Sequence, residues 1–215
     1  METTKNINLT KEEIFIYLIY IVGIIGHLTS PLLTYMKLLT PFTLLLTGGV
    51  VLFFSVNKAS KNFILWVAVT YITTLLLEVI GVKTGLVFGS YWYGDTLGFK
   101  FLGVPMIIGF NWTMVILGAI LLSEKIFKEK IFIIISASVL ATIFDFFMEP
   151  TAIKLGYWNW SNISVPIQNY LAWFIISLAF TILYLRMGIN LKSDLPIKFF
   201  ATQFIFFIIL YVFMR

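Results

Sequence analysis

The sequence predicts an all-α integral membrane protein with about seven transmembrane helices, and three observations carry that reading. Of 215 residues, 60% are hydrophobic and only 12% charged. The mean hydropathy of +0.99 exceeds what a water-soluble domain of this length needs. Several apolar runs reach the roughly 20 residues that cross a hydrocarbon layer about 30 Å thick. They fill nearly the whole length, so residues 1–215 read as a single transmembrane domain.

The first helix is predicted over 12–29, after "METTKNINLTKEE". Two acidic residues directly before the apolar run, with no small-residue cleavage site, do not fit a cleavable signal peptide, so this span is expected to stay in place. The next helices are predicted over 38–56, 62–81, 104–123, 130–152, 166–186 and 197–214. Pro105, Pro166 and Pro196 fall at or near the first turns of their helices, where a missing N–H is no loss. If the N-terminus and connections 57–61, 124–130 and 186–198 share one face, that face holds Lys5, Lys11, Lys58, Lys61, Lys125, Lys128, Lys130, Arg186, Lys192 and Lys198. The opposite face holds Lys37, Lys83, Lys100, Lys154 and Arg215. Ten against five places the N-terminus in the cytoplasm and the C-terminus outside, in a multi-pass protein of the cell membrane. Lipid headgroups and topology thus account for the net charge of +5, and no nucleic-acid partner is expected.

The chain repeats itself. "EVIGVKTGLVFGSYWY" and "GVPMIIGFNW", between residues 78 and 112, are matched by "EPTAIKLGYWNW" and "VPIQNYLAW" between 149 and 173. Each copy has a helix-terminal glutamate, a glycine among Tyr and Trp residues, then Val-Pro opening a helix. Trp follows that proline at the same offset, Pro105 to Trp112 and Pro166 to Trp173. Amides sit just inside the helix in both copies, Asn111 in one and Gln168 with Asn169 in the other. Both copies leave and re-enter the membrane on one face, so the third and fourth helices relate to the fifth and sixth by a pseudo-axis along the membrane normal. The two loops are expected to meet. For any single aromatic the interfacial belt is the simpler explanation, but the matched offsets weaken it for the set.

An ionisable group at the bilayer centre costs at least ~2.5 kcal/mol on insertion scales, so each one asks for a reason. His27 ends the first helix, Glu78 stands near the end of the third, and Asp145 and Glu149 occupy the last turns of the fifth. Thr40, Thr43, Asn111, Gln168 and Asn169 come to similar depth on other helices. Asp145 and Glu149 are spaced i, i+4, which puts both carboxyls on one helix face. Both ionised would repel, and a desolvated like-charge pair retains one proton, setting a general acid beside a general base. Glu149 alone has the alternative of capping a loop or pairing with Lys83 or Lys154. His27 is a candidate for proton transfer, or for a structural role favoured by the helix dipole.

Several chemistries are excluded. With no cysteine and one histidine there is no disulfide framework, thiolate metal site or histidine-rich metal centre, and no metal or cofactor is expected. The last helix, "FFATQFIFFIILYVFM", lacks the lysine that a retinal Schiff base requires. Paired Asp-rich motifs for diphosphate-bound magnesium and a phosphate-cradling Gly-rich loop are absent too.

The segments "HLTSPLLTYMKLLTP", "EVIGVKTGLVFGSYWYGDTLGFKFLGVP", "DFFMEPTAIKLGYWNW" and "VPIQNYLAW" resemble the membrane-integral carotenoid 1',2'-hydratases, over about residues 20–180. Ser164-Val165-Pro166, where the first copy has Gly103-Val104-Pro105, is a small departure that touches loop geometry only. The resemblance implies addition of water to the terminal double bond of an acyclic carotenoid of the lycopene or γ-carotene type. The product carries a tertiary hydroxyl at C-1', and no redox cofactor takes part. In that chemistry Asp145 is expected to protonate C-2', with Glu149 as its coupled partner and Glu78 as the base that orients water. Tyr91, Trp92, Tyr93, Trp112, Trp158, Trp160 and Trp173 are expected to line the substrate site and face the cation, with Asn111 and Asn169 holding the water. A lycopene-type cyclase would use the same acid and quench the cation internally. A proton-coupled transporter would also place carboxyls at a repeat interface.

Overall fold

The computed structural model describes residues 9–56, 60–162 and 164–214. Lys5, Lys58 and Arg215, three charges of the topology argument, lie outside the described residues.

Among the described residues seven α-helices run α1 (Lys11–Leu28), α2 (Leu33–Val56), α3 (Lys61–Thr84), α4 (Met106–Ile126), α5 (Lys130–Leu155), α6 (Ile167–Arg186) and α7 (Leu195–Phe213). Among the described residues six of them, α2 to α7, are long and apolar enough to cross a membrane. The 18 residues of α1 include Lys11, Glu12 and Glu13, and it is not in that set. The chain is therefore a multi-pass all-α membrane protein. Four short strands are added: β1 (Tyr91–Tyr93), β2 (Lys100–Phe101), β3 (Val104–Pro105) and β4 (Trp158–Trp160).

The helix ends differ from the predicted ones for identifiable reasons. Thr10 caps α1 in a capping box with Glu13, which starts the helix one residue early. A single 3-10 turn, Ser30–Leu32, is all that separates α1 from α2, so α2 begins five residues before the predicted start and keeps Pro41 inside it. Both α3 and α5 run three residues further than predicted, to Gly85 and Gly156, which end them in the left-handed conformation at φ 68° and 70°. Pro150 does not stop α5. α4 begins two residues late because Val104 and Pro105 pair with Lys100 and Phe101. The tight turn of that hairpin has positive φ at both central residues, Leu102 at 49° and Gly103 at 92°.

α4 is the central helix, with most of its length buried. It packs against α3 and α5 on one side and against α7, α2 and α6 around the rest. The internal repeat is visible in the packing: α3 packs on α4 as α5 does on α6, α4 meets α6 across the middle, and α3 touches α6 less extensively than α4 does α5. The loops meet as expected, because β1 and β4 form an antiparallel pair with Tyr91 opposite Trp160, Trp92 opposite Asn159 and Tyr93 opposite Trp158. Such self-complementary pairing is what a two-fold relation requires. The ladder is extended by Gly94 N–H donating to Tyr157 O at 2.8 Å and Ser161 N–H donating to Ser90 O at 2.9 Å. The matched tryptophans also meet on the pseudo-axis: the Trp112 and Trp173 rings stack with centroids 3.3 Å apart and planes inclined by 14°.

Candidate active site

Glu78 and Glu149 occupy equivalent places, each six residues before the end of its helix. The strand that follows each helix supplies the partners for its glutamate. On β1 the pleat turns Tyr91 and Tyr93 inward and Trp92 outward. Both tyrosine hydroxyls donate to Oε2 of Glu78, that of Tyr93 at 2.8 Å. On β4 the indole N–H groups of Trp158 and Trp160 both donate to Oε2 of Glu149, each at 2.9 Å. Burial first, and then the Glu78 carboxyl, holds the Tyr91 and Tyr93 hydroxyls above the usual tyrosine range, so both keep their protons. An indole N–H can only donate, whereas a phenol can both donate and accept. The two halves of the repeat thus present their glutamates with chemically different partners.

Asp145 lies one turn before Glu149 on α5 and has no exposed surface. Its Oδ2 accepts from Asn169 Nδ2 at 2.6 Å, and the same amide reaches Oε1 of Glu149 at 3.4 Å. Its Oδ1 has no hydrogen-bond partner among the described residues. The three carboxyls lie within electrostatic range of one another. The ion pairs of the described residues are Lys100 with Asp95, Lys125 with Asp194 and Lys198 with Glu13. None of them involves the three carboxyls, so Glu149 is held by indoles and an amide rather than by Lys83 or Lys154.

These groups line one cavity of about 350 Å³. The structure brings to it Glu78, Asp145, Glu149 and His27. Tyr91, Tyr93, Trp158 and Trp160 line it as well, with the stacked Trp112 and Trp173 and the amides Asn111 and Asn169. Trp92 is the exception among the residues expected there: it faces outward, 52% exposed, and is not in the cavity wall. The four inward strand aromatics also differ from expectation in direction, since they turn N–H and O–H edges toward the carboxyls. His27 meets no carboxyl. Its Nδ1 donates to Gly23 O at 2.7 Å, and its Nε2 lies 3.5 Å from the Tyr157 hydroxyl, which in turn is 2.6 Å from Thr40 Oγ1. That chain ties α1, α2 and the end of α5 together, and burial pushes the Tyr157 hydroxyl up to about 12.

Among the cavity residues that the sequence did not single out are Tyr157, Gln203 and Tyr20. Gln203 of α7 is fully buried; its Nε2 donates to Asn111 Oδ1 at 2.9 Å and its Oε1 has no partner among the described residues. Tyr20 of α1 adjoins it, with a buried hydroxyl that also makes no hydrogen bond of normal geometry. Gln203 was visible as the lone amide of an otherwise apolar helix; Tyr20 looked like one aromatic among many. Gln168 stands away from the cavity and donates to Leu86 O at 2.6 Å, bracing α6 against the end of α3. Among the described residues no group of three or more His, Asp and Glu side chains is arranged to hold a metal ion.

Fold and site together define a multi-pass membrane protein whose apolar cavity closes on three buried carboxyls. A family profile described as "Carotenoid biosynthesis protein" matches residues 39–215, and the chain belongs to that family. Among curated proteins, bisanhydrobacterioruberin hydratase of Haloarcula japonica is 31% identical over 108 residues, which cover 45% of this chain. The match spans 36% of that relative's length. No solved structure matches the chain.

Proposed function

We propose that this protein is a carotenoid hydratase that adds water across the terminal C-1',2' double bond of an acyclic end group. It acts in the cell membrane with its N-terminus in the cytoplasm. The observation that carries the reading is Asp145 Oδ1, a buried carboxyl oxygen without a partner in the wall of an apolar cavity, beside a glutamate fixed by two indole N–H groups. A carboxylate charge with no cation beside it in an apolar wall is costly, and a proton on Oδ1 removes that charge. The Asp145 proton is delivered to C-2', leaving a tertiary cation at C-1'. Water bonds to C-1' through an oxygen lone pair, and Glu78 takes the proton that the resulting oxonium loses. No electron changes hands, so no redox partner is consumed. Trp112 offers its outer π-face to the cation, worth about 0.5–2 kcal/mol when desolvated, while Trp173, stacked against both Trp112 and Phe88, backs that ring. The curated hydratase relative supports the reaction class, and the cavity supports an apolar substrate.

The test is to express the chain in a bacterial host that accumulates lycopene and γ-carotene and to compare pigment masses with an empty-vector control. A pigment heavier by one water supports the hydratase. An isomer of unchanged mass means that the cation is quenched internally and the protein is a cyclase. Unchanged pigment with verified expression removes the reading for these substrates.

A further inference from the structure

The cavity wall is not equally buried all round. Its residues from α3 to α6 and from β1 and β4 are buried, Trp160 excepted, which is partly so. The strongly exposed residues in the lining are Leu18 and Val22 of α1 and Leu39 of α2. Their neighbours in the wall, Ile19, Gly23 and Met36, are only half-buried. α2 is also the span with the smallest buried share. The cavity therefore opens sideways between α1 and α2, at a level that the apolar surface of both helices places in hydrocarbon.

One end of that opening is defined. Toward the ends of the helices that meet at Ser30–Leu32, the His27, Tyr157 and Thr40 side chains join α1, α2 and α5. Gly26 lets Met36 pack directly on the α1 backbone, since a Cβ at Gly26 would overlap the Met36 sulfur. Met36 is the flexible, unbranched side chain at the edge of the opening, suited to reshaping around a guest. At Gly23 a Cβ would come 3.3 Å from the Phe206 ring, so the small residue keeps the cavity continuous behind the opening. The size of the cavity supplies the remaining constraint. A volume of about 350 Å³ is near the lower end of the ~300–1,000 Å³ that drug-sized ligands occupy. It takes one end of a long polyene and leaves the rest outside.

We infer that the cavity is entered from the bilayer between α1 and α2, and that the groove between these helices holds the linear remainder of a long apolar polyene while its end group sits among the carboxyls. The inference rests on the carotenoid reading above for the occupant, and on the exposure pattern for the route. It accounts for α1 and α2, which lie outside the four-helix repeat and contribute no carboxyl to the site.

The absence of cysteine makes the route directly testable. Val22→Cys and Leu39→Cys each place a single thiol at the opening, and Leu65→Cys places one on the exposed face of α3, away from the cavity. Each purified variant is treated with a bulky, lipid-soluble maleimide, and its turnover is compared with that of its own unlabelled sample. Labelling at 22 or 39 is expected to cut turnover at least tenfold, and labelling at 65 to leave it within twofold. Lycopene in the micelles is expected to slow labelling at 22 and 39 but not at 65, a binding readout that needs no turnover. Complete modification at both opening positions with turnover within twofold, or labelling that lycopene leaves unchanged, overturns the route. A protein that shows lycopene protection at the opening without forming a hydrated pigment refutes the hydratase and leaves the route standing.

Discussion

Asp145→Asn separates catalysis from folding more cleanly than any other single change. The substitution keeps the shape of the side chain. A carbonyl oxygen in the place of Oδ2 still accepts from Asn169 Nδ2 at 2.6 Å. The new amide nitrogen falls where Oδ1 has no partner to lose. Stability in detergent is therefore expected to change by no more than about 1–3 kcal/mol, because one neutral group replaces another of the same shape and the cost is that of an amide N–H group without a partner in a site with no exposed surface. Activity behaves differently, since the amide has no proton to give. A positioned general acid contributes typically about 10²–10⁴-fold, or roughly 3–5.5 kcal/mol at 1.36 kcal/mol per tenfold. The assay is the initial rate of formation of the hydrated pigment in micelles, with tryptophan fluorescence reporting the Trp112–Trp173 stack. A variant with native fluorescence that keeps more than a tenth of the wild-type rate refutes Asp145 as the acid.

Other outcomes follow from the same contacts. Trp160→Phe removes one of the two indole bonds to Glu149 and is expected to destabilise the protein by about 1.5–3 kcal/mol, the range for a bond to a charged group, in denaturant titrations in mixed micelles. Tyr91→Phe leaves Glu78 with the Tyr93 hydroxyl and is expected to cost a similar amount, whereas losing both tyrosine hydroxyls together exceeds the sum of the single losses because one buried carboxyl then stands unpaired. Gly94→Ala drives a Cβ into the Gly156 carbonyl oxygen, a backbone atom that cannot turn away, and is expected to separate β1 from β4; loss of native fluorescence and of all turnover checks it. Leu102→Asn relieves a leucine held at φ 49° in the hairpin turn and is expected to raise stability by about 0.5–1 kcal/mol without changing turnover, because that turn is outside the cavity.

The sequence reveals a large part of this architecture and conceals specific pieces of it. Long apolar runs determine the helices directly, since a run of about 20 apolar residues satisfies its backbone in lipid within itself only as a helix. The repeat was legible because identical offsets, such as Pro105 to Trp112 and Pro166 to Trp173, survive in linear order, and the structure turns those offsets into a ring stack. Helix ends were less legible: Gly85 and Gly156 decide where α3 and α5 stop, and their left-handed conformations depend on the loops packed behind them. The three carboxyls announced themselves by their cost at membrane depth. Their hydrogen-bond partners did not, because the alternation that turns Tyr91 and Tyr93 inward and Trp92 outward exists only once β1 pairs with β4, 69 residues apart at Tyr91 and Trp160. Gln203 was missed for a simpler reason. Attention to ionisable groups passes over an amide, although an amide buried in hydrocarbon also needs a partner.

The locality of the glutamate contacts bears on how such a protein can be made at all. Glu78 finds its donors 13 and 15 residues downstream, and Glu149 finds its own 9 and 11 residues downstream. Each acidic helix therefore emerges from the ribosome followed at once by the aromatic segment that satisfies its carboxyl, before any distant helix has been synthesised. Asp145 alone waits for the next span, where Asn169 arrives 24 residues later. Each half of the repeat carries its own means of insertion, and the cavity is assembled afterwards from parts that were already tolerable to the membrane.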